Sequence, residues 1–254
     1  MDSTYLLGPT PRAFAHRGGT ETGAENTLEA FAHAYELGYR YLETDVHLTT
    51  DGRVVSFHDE QLDRMTDRRG EIAELTWDEV RRARVGGSGQ VPLMAELLET
   101  FPDARFNIDV KVDAVVGPLI ELLETRSALD RVGIGCFSRA RLGRVRDLVP
   151  DVPTVLTSLE VVRLVAEGRG VKLPLDLPGE MAQVPIRTRR LTIVTPQFVE
   201  AAHRRGIEVH VWTVDDAAVM HRLFDMGVDG IMTDRPSVLR AVLVERGLWH
   251  EPDR

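Results

Sequence analysis

Apolar and polar positions alternate with a period of two in short blocks of the chain, and with a period near four in the longer blocks between them. In residues 104–111, for example, Phe106 and Ile108 fall on one face of an extended chain, and Asp109 and Lys111 fall on the other. The longer blocks have the spacing of helices with one buried face. The pattern therefore predicts strands that alternate with helices.

Eight strands are predicted in this alternation, and each is followed by a helix. They begin near residues 13, 41, 105, 131, 153, 181, 207 and 230. Eight βα units in one chain of 254 residues predict a single-domain TIM (β/α)8 barrel spanning residues 1–254. A doubly wound sheet is the alternative, but it usually carries a glycine-rich dinucleotide loop after its first strand, and HRGG at residues 16–19 is not such a loop.

Several predicted helices begin at recognisable capping residues. Asn26 precedes a helix that ends near Gly38, and Asp215 precedes the helix after the seventh strand. Thr195 with Pro196 predicts another start, because Pro is favoured at the first helical position.

The second strand carries an addition to the simple alternation. Glu43 and Asp45 project from the same face of this strand, and the Asp51–Gly52 pair predicts a tight hairpin turn after it. The returning strand brings His58 opposite position 43 or 45, depending on register. Two carboxylates and an imidazole at one place indicate metal-assisted acid/base chemistry.

Residues 60–91 interrupt the barrel pattern, since they are polar and irregular and contain one short predicted helix. They predict a cap-like segment inserted after the second strand and its hairpin, and a candidate cover for a substrate.

Composition narrows the class of protein. The formal net charge of −9 argues against a nucleic-acid or anionic-membrane binder. The single cysteine, Cys136, lies in an apolar run and is predicted to be a buried thiol. The first dozen residues do not resemble a signal peptide, and no apolar run is long enough to span a membrane. We therefore expect a cytoplasmic protein without stable membrane association.

Polar side chains follow the predicted strands at the edge where a barrel holds its catalytic groups. These residues are His16, Arg17, Glu43, Asp45, Asp109, Lys111, Trp212 and Asp234. For Asp234 we favour a structural role as the cap of the last helix. The remaining histidines are expected to be non-catalytic, and His47 is expected to lie beyond the site; the others are His33, His203, His210, His221 and His250.

Nearly the whole chain resembles the glycerophosphodiester phosphodiesterases. The motifs in order are AHRGG, ENTLEAF, ETDVHLTTDGRVVSFHD, DRMT, VPLMAELL, NIDVK, VWTV and GVDGIMTDRP. The resemblance implies a TIM barrel with an inserted segment. It also implies that His16 and His58 are the acid/base pair and that Arg17 contacts phosphate.

The resemblance further implies a divalent cation, Mg²⁺ or Ca²⁺, bound by Glu43 and Asp45. The third ligand of the family is commonly a Glu, and the matching residue here is the shorter Asp109. Hard carboxylate oxygens suit these cations better than Zn²⁺. Lys111 and Trp212 complete the candidate substrate contacts.

The expected function is metal-dependent hydrolysis of glycerophosphodiesters to glycerol 3-phosphate and an alcohol. The partner is a small-molecule phosphodiester. One alternative is a lysophospholipase D-like enzyme, with Met65, Leu75 and Trp77 of the inserted segment lining a channel for an acyl chain; a plain apolar core of that segment explains these three residues equally well. Another is a non-catalytic barrel that binds phosphodiesters.

Overall fold

A parallel sheet of seven strands curls around the centre of the protein. The structure is a computed structural model that describes residues 3–171, 173, 176–189 and 191–251. Its strands are β1 Arg12–Ala15, β2 Tyr41–Leu48, β3 Val54–Ser56, β4 Arg105–Val110, β5 Val132–Gly135, β6 Met181–Pro185, β7 Glu208–Trp212 and β8 Gly230–Thr233. The order across the sheet is β5-β4-β2-β1-β8-β7-β6, and β3 pairs antiparallel with β2 as the second arm of a hairpin.

The helices follow the strands along the chain and cover the sheet. They are α1 Leu28–Glu36, α2 Trp77–Val80, α3 Met94–Thr100, α4 Val116–Thr125, α5 Arg139–Leu148, α6 Ser158–Gly168, α7 Pro196–His203, α8 Ala217–Asp225 and α9 Pro236–Glu245. None of the helices in the described part of the chain is long and apolar enough to cross a membrane.

The gap between β5 and β6 is closed by two residues and not by a full strand. Thr154 forms a parallel bridge to Ile134, and Val155 forms one to Met181. The strand predicted at 153–156 is therefore reduced to two bridges, because Pro153 has no N–H to donate and α6 begins at Ser158. These two bridges take the place of the remaining parallel strand and close the barrel between β5 and β6. The predicted TIM fold is therefore confirmed.

Residues 60–91 carry a small apolar core of their own. Leu62, Ile72 and Val80 are buried in a second cluster, separate from the main core, together with Val55 and Phe57 of the hairpin. This segment is thus held on β3 by apolar contacts.

Two of the predicted helix starts are wrong by one residue. Thr27, not Asn26, caps α1 by accepting a hydrogen bond from the backbone N–H of Ala30. Asp216, not Asp215, caps α8 in the same way. Both of the displaced residues use their side chains elsewhere, since Asn26 donates to Asp45 and Asp215 accepts from the hydroxyl of Thr233. The start at Thr195 is confirmed.

Candidate active site

His58 and all of the predicted strand-end residues except Asp234 line one cavity of about 490 Å³ at the carboxyl ends of the barrel strands. Because the strands are parallel, their carboxyl ends meet at one edge, and residues far apart in sequence become neighbours there. The residues are His16, Arg17, Glu43, Asp45, His58, Asp109, Lys111 and Trp212.

His16 is placed by a sharp turn directly after β1. Arg17 has a φ of 52° and Gly18 a φ of 80°, both in the left-handed region. A side chain at Gly18 would meet the backbone nitrogen of Phe31 at 2.8 Å, so the close approach of α1 requires glycine. The turn aims the N–H of Arg17 at Glu43 Oε2, at 2.9 Å.

The imidazole of His16 is oriented by Asp234, whose Oδ1 lies 2.6 Å from His16 Nδ1. The expectation that Asp234 caps the last helix is wrong, because Arg235 occupies that N-cap position without any side-chain cap. Burial lowers the pKa of His16, but Glu43 and Asp234 more than offset this and leave the pKa raised. Asp234 therefore belongs to the site.

His58 is delivered to the site by the hairpin, as predicted, but it lies beyond the paired residues of β3. Val46 pairs with Ser56 and the N–H of Phe57 donates to the carbonyl of Asp45 at 3.0 Å, so the hairpin ladder ends just before His58. Its Nδ1 lies 2.6 Å from Asp59 Oδ1. Its carbonyl oxygen lies 3.1 Å from the Nε2 of His47. His47 therefore supports the loop and does not simply lie beyond the site.

Asp45 is buried at 1% exposure and is surrounded by donors. Asn26 donates to it at 3.1 Å, Lys111 Nζ lies 2.7 Å from it, and Arg17 Nε lies 3.2 Å away. Burial alone would raise the pKa of Asp45, but Lys111 and Arg17 outweigh burial and hold the pKa below its usual value. Lys111 also contacts Asp109 at 2.5 Å, so it neutralises two carboxylates.

Among the described residues, no Arg or Lys side chain forms an ion pair with Glu43, and His16 Nε2 lies 3.9 Å from its Oε2. Burial and the nearby Asp45 raise the pKa of Glu43 to about 7. A buried carboxylate with this much uncompensated charge fits the need for a cation, and oxygen donors suit Mg²⁺ or Ca²⁺. Within the described ranges, no three His, Cys, Asp or Glu side chains are already arranged around a metal position.

The free energy of unfolding in excess chelator is expected to fall as pH rises from about 4.5 toward 7. The folded state holds the Glu43 proton up to about pH 7, whereas an unfolded Glu releases it near 4.5, so stability decreases across this window. Denaturant titrations between pH 4.5 and 6 measure this slope, and a variant at position 43 separates it from the titration of His47, whose pKa is lowered by burial. Glu43→Gln should flatten the slope, while Glu200→Gln, at an exposed carboxylate, should retain it. An unchanged slope in Glu43→Gln would contradict the assignment.

The far wall of the cavity is apolar and comes from the second half of the barrel. Its residues are Phe137, Val155, Leu156, Val161, Val162, Val165, Val184, Pro185, Leu191, Ile193 and Trp212. The ring of Phe137 meets that of Trp212 edge to face, with centroids 6.1 Å apart. Val161 and Val165 lie on α6, so this helix forms much of the wall.

The channel predicted from Met65, Leu75 and Trp77 is therefore misplaced. All three side chains pack against the second apolar cluster. Among the described residues that line the cavity, none comes from 60–91. A covering role for that segment stays a prediction.

Five residues around the site were not identified as functional from sequence. Glu25, Asn26, Asp59 and Asp234 each touch a candidate catalytic or ligand side chain, and Arg64 touches Asp59 and Glu25. Asn26 donates to Asp45, and its own oxygen accepts hydrogen bonds from two hydroxyl groups. Each of the five lies inside or beside one of the quoted motifs, which was the available signal.

Residues 16–238 match the sequence profile of the Glycerophosphoryl diester phosphodiesterase family. The chain belongs to this family. A relative from Mycobacterium tuberculosis, named "Probable glycerophosphodiester phosphodiesterase 2", is 38% identical over 93% of this chain and 92% of its own length. A lysophospholipase D from Homo sapiens is 29% identical over 90% of this chain and 85% of its own length.

The fold of the family is also seen in solved structures. A phosphodiesterase from Oleispira antarctica, determined with its product sn-glycerol-3-phosphate, superposes with a TM-score of 0.78. It is 21% identical, and the match covers 92% of this chain and 97% of that one. The predicted family, the barrel and the enzyme class are thus confirmed.

Proposed function

We propose that this phosphodiesterase hydrolyses glycerophosphodiesters to glycerol 3-phosphate and an alcohol with His16 and His58 as its acid/base pair. The observation that carries the proposal is that both imidazoles line one cavity and each is held by a carboxylate at 2.6 Å. A histidine whose ring is fixed in this way can take or give a proton at a defined position.

Arg17 and Lys111 supply positive charge to the same cavity. A phosphodiester is anionic and gains charge density on its oxygens as it reacts, so fixed cations stabilise the transition state more than the ground state. In the structure the two cations contact Asp45, and Lys111 also contacts Asp109. They are therefore held in place before substrate binds.

The two histidines divide the movement of protons. One ring accepts a proton from the attacking water as the water oxygen bonds to phosphorus, and the other ring donates a proton to the departing alkoxide. The bond between phosphorus and the leaving oxygen breaks, and an alcohol departs. Both rings have a second nitrogen bonded to a carboxylate, which stabilises each ring when it is charged.

Glu43 and Asp45 would hold a divalent cation in this proposal, with Asp109 as a third oxygen donor. When bound, Mg²⁺ or Ca²⁺ would neutralise phosphate charge at the polar end of the cavity. The raised pKa of Glu43 supports the proposal, because it marks a buried carboxylate that lacks a full counter-charge. Lys111 contacts Asp45 and Asp109 and would share these two carboxylates with the cation.

A second candidate is hydrolysis of lysophospholipids, the activity in the name of the human relative. It is favoured by the apolar far wall, which a glycerol or choline group would leave unfilled. Phe137 at the mouth is 68% exposed, although it lines the same cavity. An acyl chain that extends from the phosphate along this wall would bury apolar surface on both partners.

Choline release from glycerophosphocholine and from lysophosphatidylcholine tests both candidates. We expect hydrolysis of the first substrate and a lower KM for the second. Phe137→Ala should raise the KM for lysophosphatidylcholine about tenfold, as expected for losing roughly 1.5 kcal/mol of aromatic burial. It should not change the KM for glycerophosphocholine.

Leu148→Ala is the matched control, since Leu148 is 54% exposed and lies away from the cavity. If neither substrate is hydrolysed, the proposed function is refuted. If the KM values for the two substrates are equal and Phe137→Ala changes neither of them, the apolar wall does not bind an acyl chain. The proposed substrates would then be small glycerophosphodiesters only.

A further inference from the structure

Two sequence motifs, ENT at residues 25–27 and DRMT at 63–66, contain charged residues that take no direct part in the proposed proton transfers. In the structure their charged members meet. Arg64 of the inserted segment contacts Glu25 at 2.9 Å through Nη2. The same guanidinium reaches Asp59, with Nε at 2.5 Å from Oδ2 and Nη2 at 2.9 Å from Oδ1. The inserted segment thus places the guanidinium of Arg64 at the edge of the site.

The ion pairs of Arg64 continue to the catalytic groups on both sides. On one side, Asp59 holds Nδ1 of His58 at 2.6 Å. On the other side, Glu25 Oε1 accepts from Nη1 of Arg17 at 3.0 Å. One guanidinium therefore connects, through one carboxylate each, the imidazole and the phosphate-binding cation of the proposed mechanism.

The backbone around Arg64 is fixed by the small core of the inserted segment. Leu62 is 1% exposed, and its N–H donates to Gly70 at 3.0 Å. Met65 accepts at its carbonyl from Gly86 at 2.9 Å, and Thr66 donates to Leu62 at 3.0 Å. These contacts hold residues on both sides of position 64, so its side chain starts from a defined place.

Arg64 contacts both carboxylate oxygens of Asp59, and this paired geometry fixes the orientation of the carboxylate. Two parallel N–H···O contacts set the plane of the carboxylate as well as its distance. A fixed carboxylate plane fixes the ring of His58, and a displacement of about 1 Å of a catalytic group can cost about 10²-fold in rate. At 50% exposure, Arg64 contributes little to folding stability by itself.

We propose that Arg64 is a positioning residue, which orients His58 through Asp59 and Arg17 through Glu25, and so gives the inserted segment a catalytic role. The inference rests on the proposed function. It explains the insertion's place in the chain, because Arg64 lies only five residues after Asp59 and reaches it within one loop.

Arg64→Gln in the full-length enzyme tests the proposal by steady-state kinetics on glycerophosphocholine and on a nitrophenyl glycerophosphodiester. We expect kcat on glycerophosphocholine to fall about tenfold or more and KM to rise, since Asp59 and Glu25 both lose the guanidinium that positions them. The contact from Arg64 through Glu25 to Arg17 is the Arg17 branch. The kcat ratio between the two substrates should shift in the same direction as in His58→Ala. Arg64→Lys should recover only part of the loss, because an ammonium cannot make the paired contact.

Arg81→Gln is the matched control. Arg81 lies in the same segment, is also 50% exposed, and pairs with Asp78 away from the site. Its kcat and KM should equal those of the wild type. Should Arg64→Gln fail to fold, Glu25→Gln breaks only the Arg17 branch and is expected to raise KM with a smaller change in kcat.

Kinetic constants of Arg64→Gln within twofold of the wild type would overturn the inference while leaving the proposed function intact. Equal losses in Arg64→Gln and Arg81→Gln would also overturn it, since they would indicate a general effect on the segment. An unmodified enzyme that hydrolyses no glycerophosphodiester would overturn the proposed function first, and this inference with it.

Discussion

Replacing either His16 or His58 with Ala is expected to lower the rate of glycerophosphodiester hydrolysis by about 10²–10⁴-fold, the usual cost of losing a general acid or base. The physical reason is that a proton must leave the nucleophile and reach the leaving alkoxide in the transition state. Each imidazole lines the cavity and is locked at its other nitrogen by Asp234 or Asp59. Steady-state kcat on glycerophosphocholine measures the loss.

The leaving group separates the two roles. A nitrophenolate needs little protonation, so the variant that lacks the general acid should lose less with a nitrophenyl substrate. We expect this relief in His58→Ala and not in His16→Ala. Equal losses on both substrates would refute this assignment, and near-wild-type rates in either variant would refute the acid/base pair itself.

A suitable histidine control lies outside the site. His47 would be a poor choice, because its ring contacts the carbonyl of His58 and its loss would disturb the loop. His221 on α8 pairs with Glu245 and is 31% exposed. His221→Ala is therefore expected to keep full activity.

Removing divalent cations is expected to abolish activity, and Mg²⁺ or Ca²⁺ should restore it. Glu43 and Asp45 are buried at 4% and 1% exposure, and without a cation they repel each other. Glu43→Gln and Asp45→Asn should lose activity in a way that added metal does not restore. Full activity in excess chelator, with no metal in the purified protein, would contradict this prediction.

Cation binding also has a readout that does not depend on catalysis. A ligand that binds only the folded state stabilises it by about 2.7 kcal/mol at 100 times its Kd. Added Mg²⁺ or Ca²⁺ should therefore raise the denaturation midpoint of the chelator-treated wild type and leave that of Glu43→Gln unchanged. Asp109→Ala should weaken the shift if Asp109 is the third oxygen donor.

Much of the fold could be predicted because its signals are local. A strand with one polar face and a turn such as Asp51–Gly52 are each read within a few residues, and β2 and its hairpin follow from them. The predicted caps at Asn26 and Asp215 were wrong for the opposite reason. Asn and Asp suit several local geometries, and the choice depended on distant partners such as Asp45 and Thr233.

The sequence by itself determined that the polar groups end the parallel strands, since strand periodicity and chain order are encoded locally. Tertiary structure decided which of those groups meet. His16 finds Asp234 only because β1 pairs with β8 and closes the barrel across 218 positions. Barrel closure likewise brought α6 over the cavity, so the apolar wall came from there and not from the inserted segment. Such pairings depend on register and closure, which are properties of the whole sheet and of no single stretch of chain.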